Sequence, residues 1–187
     1  HTAFVFPGQG SQSVGMGREL AAAYPLARAT FVQAEEILGF NLTQLAWEGP
    51  EDELNDTLNT QPILLTHSIA ALRVFQETYP NFRPAYVAGH SMGELSALVA
   101  ARALSLQNAL ILARKRGECM QAAGQVSPGG MAAILGLDIP VLDRICAEAS
   151  QAGEVVQVAN DNCPGQVVIS GASAALERAL AAAQQAG

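Results

Sequence analysis

The sequence is poor in nearly everything that marks a membrane protein, a nucleic-acid binder or a disulfide-built domain. Its 187 residues hold one lysine and one tryptophan, with only 5% aromatic and 14% charged residues. The three cysteines, Cys119, Cys146 and Cys163, are odd in number, widely spaced and outside any CxxC pair. That spacing excludes a disulfide framework or a zinc site and suits a reducing compartment. No apolar run approaches the ~20 residues of a membrane span, and no basic segment followed by an apolar core opens the chain. A cytoplasmic protein with no membrane partner is therefore expected. Ten basic against seventeen acidic residues give a formal charge of −7, and Arg114-Lys115-Arg116 is the only basic run, which excludes nucleic acid as a partner. What is abundant is apolar: 50% of the residues are hydrophobic, enough for a sizeable core in one domain or slightly more.

Periodicity and punctuation order the chain. Residues 2–6 read as a buried strand stopped by a Gly-rich loop at 7–12. Helices are expected at 17–24 and 26–38, then a turn-rich stretch over 39–61. Pro62 opens a helix reaching Tyr79. A strand at 85–88 leads into a helix at 95–101, and Ser105 caps a further helix over 106–123. Gly124 to Gly130 is the best internal boundary. Beyond it the pattern is strand 131–137, helix 140–151, strands 154–159 and 166–170, and helix 172–186. That β-α-β-β-α order is one strand short of a split βαβ unit. The first residue is not Met and the second unit stops unfinished, so a part of a longer protein is expected.

Gly89-His90-Ser91-Met92-Gly93-Glu94 carries the most chemistry. A serine between two glycines, after a short strand and before a helix, reads as a nucleophile elbow with an exposed hydroxyl. The helix N-terminus at the same corner favours developing negative charge. The competing reading is a plain tight turn.

The loop at 7–12 invites a dinucleotide reading, but Gly8-x-Gly10-x-x-Ser13 lacks the third glycine. No acidic residue ends a second strand ~20 residues on, and no P-loop lysine follows. A backbone donor suits it better: an oxyanion hole takes one N–H from the residue after the nucleophile, here Met92, and one from a strand-end loop, here Gln9.

On the 106–123 helix the apolar arc is Leu106, Ala109, Leu110, Leu112, Ala113, Gly117 and Met120. Arg114 and Lys115 point away from that arc, whereas Arg116 falls inside it. An inward guanidinium needs an anion. Glu94 and a ligand carboxylate, gripped in bidentate fashion, are equally good candidates. Among the histidines, His1 is terminal, His90 shares the corner with the serine, and His67 reads as a satisfied, partly buried core residue beside Ile63, Ala70 and Val74.

Five motifs then occur in order: Phe6-Pro7-Gly8-Gln9-Gly10-Ser11-Gln12, Thr60-Gln61-Pro62, the Gly89–Glu94 elbow, Arg116-Gly117 with Met120-Gln121, and Asn160-x-Asn162-x-Pro164-Gly165-Gln166. Together they resemble the malonyl-CoA:acyl-carrier-protein transacylases of fatty-acid synthesis and, more broadly, the acyltransferase domains of polyketide synthases. The resemblance spans the whole chain. Glu94 sharpens it, because many esterases carry Gly at that place.

The resemblance implies an α/β fold: an incomplete hydrolase-like parallel-sheet subdomain over 1–124, and a ferredoxin-like small subdomain over 125–187 lacking its last strand. It implies ping-pong transfer of malonyl from CoA through Ser91 to acyl carrier protein, with no bound cofactor and no metal. Gln9 and Met92 would hold the oxyanion, and Arg116 the malonyl carboxylate. Gln61, His90, Asn160 and Asn162 would contact substrate, the two asparagines from a loop. The family's catalytic His falls in a segment that this chain does not contain, so the chain alone is expected to be inactive. Two rival classes stand beside this one: a serine esterase or thioesterase sharing the elbow, and a non-catalytic carrier-protein docking fragment.

Overall fold

The computed structural model describes residues 2–187, so His1 lies outside the described residues. The chain is α/β and divides into two compact units, one ending at Gln121 and the other running Ala122–Gly187.

In the first unit, strand β1 (Ala3–Phe6) lies parallel to β2 (Tyr86–Gly89), with Phe6 opposite Gly89. Between them run helices α1 (Arg18–Ala23), α2 (Pro25–Leu38), α3 (Leu42–Glu48), α4 (Glu51–Asn55) and α5 (Thr57–Thr78). After β2 come α6 (Gly93–Ala100) and α7 (Leu106–Val126). Helix α5 is the spine of the core. Residues Thr60 to Thr66 are all buried, and α2 and α6 pack against it. Two of its buried hydroxyls bond within the first unit: Thr60 Oγ1 donates to Leu54 O, and Thr66 Oγ1 to Pro62 O at 2.8 Å.

Residues 39–61 depart from the turn-rich expectation. They form α3, α4 and the first turn of α5, because residues that resemble turn formers serve as helix caps. Asn41 Oδ1 accepts from Gln44 N at 3.1 Å, and Asp56 Oδ1 accepts from Leu58 N at 3.0 Å. Such side chains satisfy the free N–H groups of a first helical turn as readily as they close a bend. Pro62 consequently lies inside α5 instead of opening it. It has no N–H to give the Leu58 carbonyl, and Arg114 Nη1 donates to that carbonyl at 3.2 Å. Arg114 also donates to Asn59 Oδ1 at 3.0 Å and lies over the Phe40 ring. It is therefore a half-buried structural cation, not the solvated one expected. Lys115 does lie in solvent; its hydrogen bond to Glu118 at 3.1 Å, and that residue's charge, raise its pKa.

The second unit contains strand β3 (Gly129–Leu135), helix α8 (Ile139–Ala149), strands β4 (Val156–Cys163) and β5 (Gln166–Ala172), and helix α9 (Ser173–Ala186). The strands form an antiparallel sheet in the order β3-β5-β4. Alternate residues Ile134, Val156, Val167 and Ile169 face a core completed by Leu142, Ile145 and Cys146 of α8 and by Ala175, Ala179 and Ala183 of α9. The helical period of 3.6 and the strand period of 2 meet on that one apolar layer.

Candidate active site

The elbow forms as the strand–turn–helix pattern requires. Ser91 sits between β2 and α6 with φ of 53°, the left-handed region that L residues enter at a cost of about 1–2 kcal/mol. Its flanking glycines make the corner sterically feasible. A Cβ on Gly89 would come within 2.0 Å of Gly93 C, and one on Gly93 within 2.4 Å of Phe6 O. The corner is also tied to β1, since His90 N donates to Phe6 O at 3.1 Å. The result is an exposed Ser91 above a fully buried Met92, at the start of α6.

The serine hydroxyl accepts a hydrogen bond from Arg116. Arg116 Nη2 lies 2.9 Å from Ser91 Oγ, and Arg116 Nη1 donates to Gln61 Oε1 at 2.6 Å. Among the described residues Arg116 pairs with no carboxylate: the ion pairs are Lys115–Glu118 and Arg178–Glu154. Glu94, one of its two candidate partners, is exposed in the first turn of α6 and makes no ion pair with it.

Gly117 brings α7 close enough for this contact. A Cβ there would meet Leu58 Cα at 2.8 Å and Thr57 O at 3.0 Å, so α7 packs directly on the backbone of α5. Within the expected apolar arc of α7, Leu112 and Met120 are in fact exposed; Met120 Sδ instead accepts from Gln61 Nε2 at 3.3 Å.

The loop after β1 reaches the same place. Gln9 Oε1 accepts from Thr57 Oγ1 at 2.9 Å, and Gln12 Nε2 donates to Asn55 Oδ1 at 2.8 Å. Among the described residues the N–H groups of Gln9 and Met92 take part in no hydrogen bond.

The first unit therefore brings together Gln9, Gln61, Ser91, Met92 and Arg116. The ring of His90 packs against the loop: its Nδ1 would lie 2.9 Å from a Cβ on Gly8. His67 is half-buried in α5 beside Phe31 and the backbone of Gly17. Contrary to expectation its Nδ1 has no hydrogen-bond partner among the described residues, and burial lowers its pKa. Asn160 and Asn162 belong to the second unit and lie on β4, not on a loop. The ladder to β5 shifts register between Val158 and Asn160 and again between Asp161 and Cys163; such irregularities re-aim side chains without ending the strand. Among the described residues no three of His, Cys, Asp and Glu converge as metal ligands would. Nor is any helix long and apolar enough to cross a membrane. Thr57 escaped the sequence reading altogether. Its one signal was a hydroxyl one helical turn before Gln61.

Comparison with known proteins bears on this arrangement. The acyl transferase domain model matches residues 3–187. The chain belongs to that family. It is 50% identical over 185 residues to the malonyl CoA-acyl carrier protein transacylase of Haemophilus influenzae, covering 99% of this chain and 59% of that protein. The corresponding Bacillus subtilis protein is 49% identical, with 99% and 58% covered. The Coxiella burnetii malonyl CoA-acyl carrier protein transacylase structure superposes with a TM-score of 0.94 at 46% identity, covering 100% of this chain and 58% of that one. A malonyl-transacylase solved in complex with its type II PKS acyl-carrier protein gives 0.94 at 47%, covering 100% and 60%. The chain thus spans about three-fifths of the length of the acyltransferases it matches.

Proposed function

We propose that the protein transfers a malonyl group from CoA to the phosphopantetheine thiol of acyl carrier protein, in the cytoplasm and in two half-reactions. One observation carries the reading: the guanidinium that bonds the candidate nucleophile at 2.9 Å has no carboxylate of its own. A cation so placed suits an acyl group that bears a second, free carboxylate. In a malonyl ester on Ser91 Oγ, that carboxylate lies two bonds beyond the ester carbon, within reach of the same planar fork.

In the first half-reaction Ser91 Oγ attacks the thioester carbonyl while its proton passes to a base. The carbonyl oxygen becomes an oxyanion facing the Gln9 and Met92 N–H groups, and collapse expels the CoA thiol. In the second, the carrier thiol attacks the seryl ester and returns Ser91. Gln61 orients Arg116, and His90 adds a substrate contact beside them. This reading assigns the base to a histidine outside residues 1–187, and without it these residues turn over poorly. Residues 1–124 form part of the hydrolase-like subdomain. Residues 125–187 are a ferredoxin-like subdomain short of one strand, a reading supported by the β3-β5-β4 order.

No bound cofactor is required, because the thioester substrate supplies the activation. An esterase or thioesterase would use the same elbow, but the unpaired Arg116 favours a carboxylated acyl group. The test is product analysis of the full-length protein with malonyl-CoA and phosphopantetheinylated carrier protein. Malonyl-carrier formation supports transfer. Release of free malonate alone supports the hydrolase, and binding of carrier protein without Ser91 acylation supports a docking role.

A further inference from the structure

Three polar side chains, Gln9, Thr57 and Gln61, join the loop after β1 to Arg116, and their donor–acceptor order admits only one direction. Arg116 can only donate, so Gln61 must turn its Oε1 towards it. The Gln61 amide nitrogen is then committed as a donor in a side chain with no solvent exposure, and it needs acceptors. It finds Thr57 Oγ1 at 2.9 Å, with Met120 Sδ at 3.3 Å beside it. Thr57 Oγ1, having accepted, still has one proton, which it gives to Gln9 Oε1 at 2.9 Å. A hydroxyl is the only uncharged side-chain group of this size that accepts on one side and donates on the other.

We infer that Thr57 is a positioning residue that holds the oxyanion-side loop and the carboxylate-side Arg116 in register through Gln61. The inference rests on the acyl-transfer reading above. Among the described residues Thr57 hydrogen-bonds to neither Ser91 nor Arg116; it acts on both arms of the site through their glutamines. Removing its hydroxyl frees Gln9 on one side and leaves the buried Gln61 amide short of an acceptor on the other. Gln61 Nε2 then keeps only the weak acceptor Met120 Sδ at 3.3 Å, and the amide that orients Arg116 is held less firmly. Both consequences follow from a change that alters no charge and almost no volume.

The test is steady-state kinetics of the full-length protein with malonyl-CoA and acetyl-CoA as donors and carrier protein as acceptor. Thr57→Val is expected to raise the malonyl-CoA KM about fivefold and leave that for acetyl-CoA unchanged, while kcat falls about fivefold on both, each factor corresponding to one lost hydrogen bond. Thr57→Ser is expected to stay within about twofold of the parent by the same measure. Equal loss on both donors with unchanged KM, or a serine variant as poor as the valine, overturns the inference. Should the valine variant fail to fold, Gln9→Leu reads the same link from the other end. It is expected to raise the malonyl-CoA KM although Gln9 does not touch Arg116; an unchanged KM overturns the coupling. A parent protein that malonyl-CoA never acylates refutes the acyl-transfer reading itself, whereas normal acylation and unaltered selectivity in Thr57→Val refute only the role of Thr57.

Discussion

Gly117→Ala tests whether the approach of α7 to α5 sets the position of Arg116. The added Cβ would lie 2.8 Å from Leu58 Cα and 3.0 Å from Thr57 O, both backbone atoms of a half-buried helix end. Those atoms cannot rotate away, so α7 must move out by about half an ångström to reach ordinary contact. Overpacking of this kind costs about 1–3 kcal/mol. Alanine recovers about 1 kcal/mol over glycine in a helix interior, which leaves a net loss of about 0–2 kcal/mol. Thermal unfolding should therefore fall by at most about 8 °C.

The effect on the site is larger than the effect on the fold. Arg116 precedes Gly117 on α7 and holds Ser91 Oγ at 2.9 Å. Half an ångström added to that distance brings the bond to the edge of hydrogen-bonding geometry. The malonyl-CoA KM should rise about fivefold to tenfold, and acetyl transfer should change little. The assay pairs a melting curve with initial rates on the two donors. A variant that melts at a higher temperature and keeps its malonyl KM would show that α7 has room to spare, and the reasoning from Gly117 would fail.

Arg116→Ala should lower kcat/KM for malonyl-CoA about 100-fold, the worth of two charge-assisted bonds, against less than about tenfold for acetyl-CoA. Equal losses measured by initial rates would make Arg116 a structural residue. His67 predicts a pH dependence of stability. Burial lowers its folded pKa below the unfolded value near 6.5, so the unfolded chain binds the proton more readily. Its contribution is full above that unfolded value and is lost as the pH falls through it towards the folded pKa. Urea unfolding at pH 5 and pH 7.5 should show a smaller drop on acidification for His67→Leu than for the parent; identical drops would contradict the assignment.

The elbow was legible because steric necessity writes it into the sequence. Gly89 and Gly93 are required by contacts of 2.0–2.4 Å, and few residue patterns meet that demand. Arg116 was legible as an inward charge on an apolar arc, but its partner was not, since Glu94 and a ligand carboxylate fit the helical phase equally well. The structure decides against Glu94 because α6 points that side chain to solvent. The stretch 39–61 misled because Asn41 and Asp56 make the same side-chain-to-backbone bonds in caps as in turns; the packing of Leu42, Leu45 and Leu54 into the core decides between them. Arg114 misled in another way. Its solvated appearance depended on ignoring Pro62, 52 residues away in sequence, whose missing N–H leaves a carbonyl for it to bond. Thr57 was invisible for a similar reason. Its partner Gln61 lies one helical turn away, but the other end of its hydrogen-bond chain, Gln9, lies 48 residues away in sequence, and no local pattern encodes that contact.

The central claim is that Ser91 takes up a carboxylated acyl group. Intact-mass spectrometry of the full-length protein after brief exposure to malonyl-CoA tests it most directly, with the modified peptide then mapped. The account predicts one added malonyl group on Ser91, absent from Ser91→Ala and removed when phosphopantetheinylated carrier protein is added. An unmodified Ser91, or a malonyl group attached to any other residue, would contradict it.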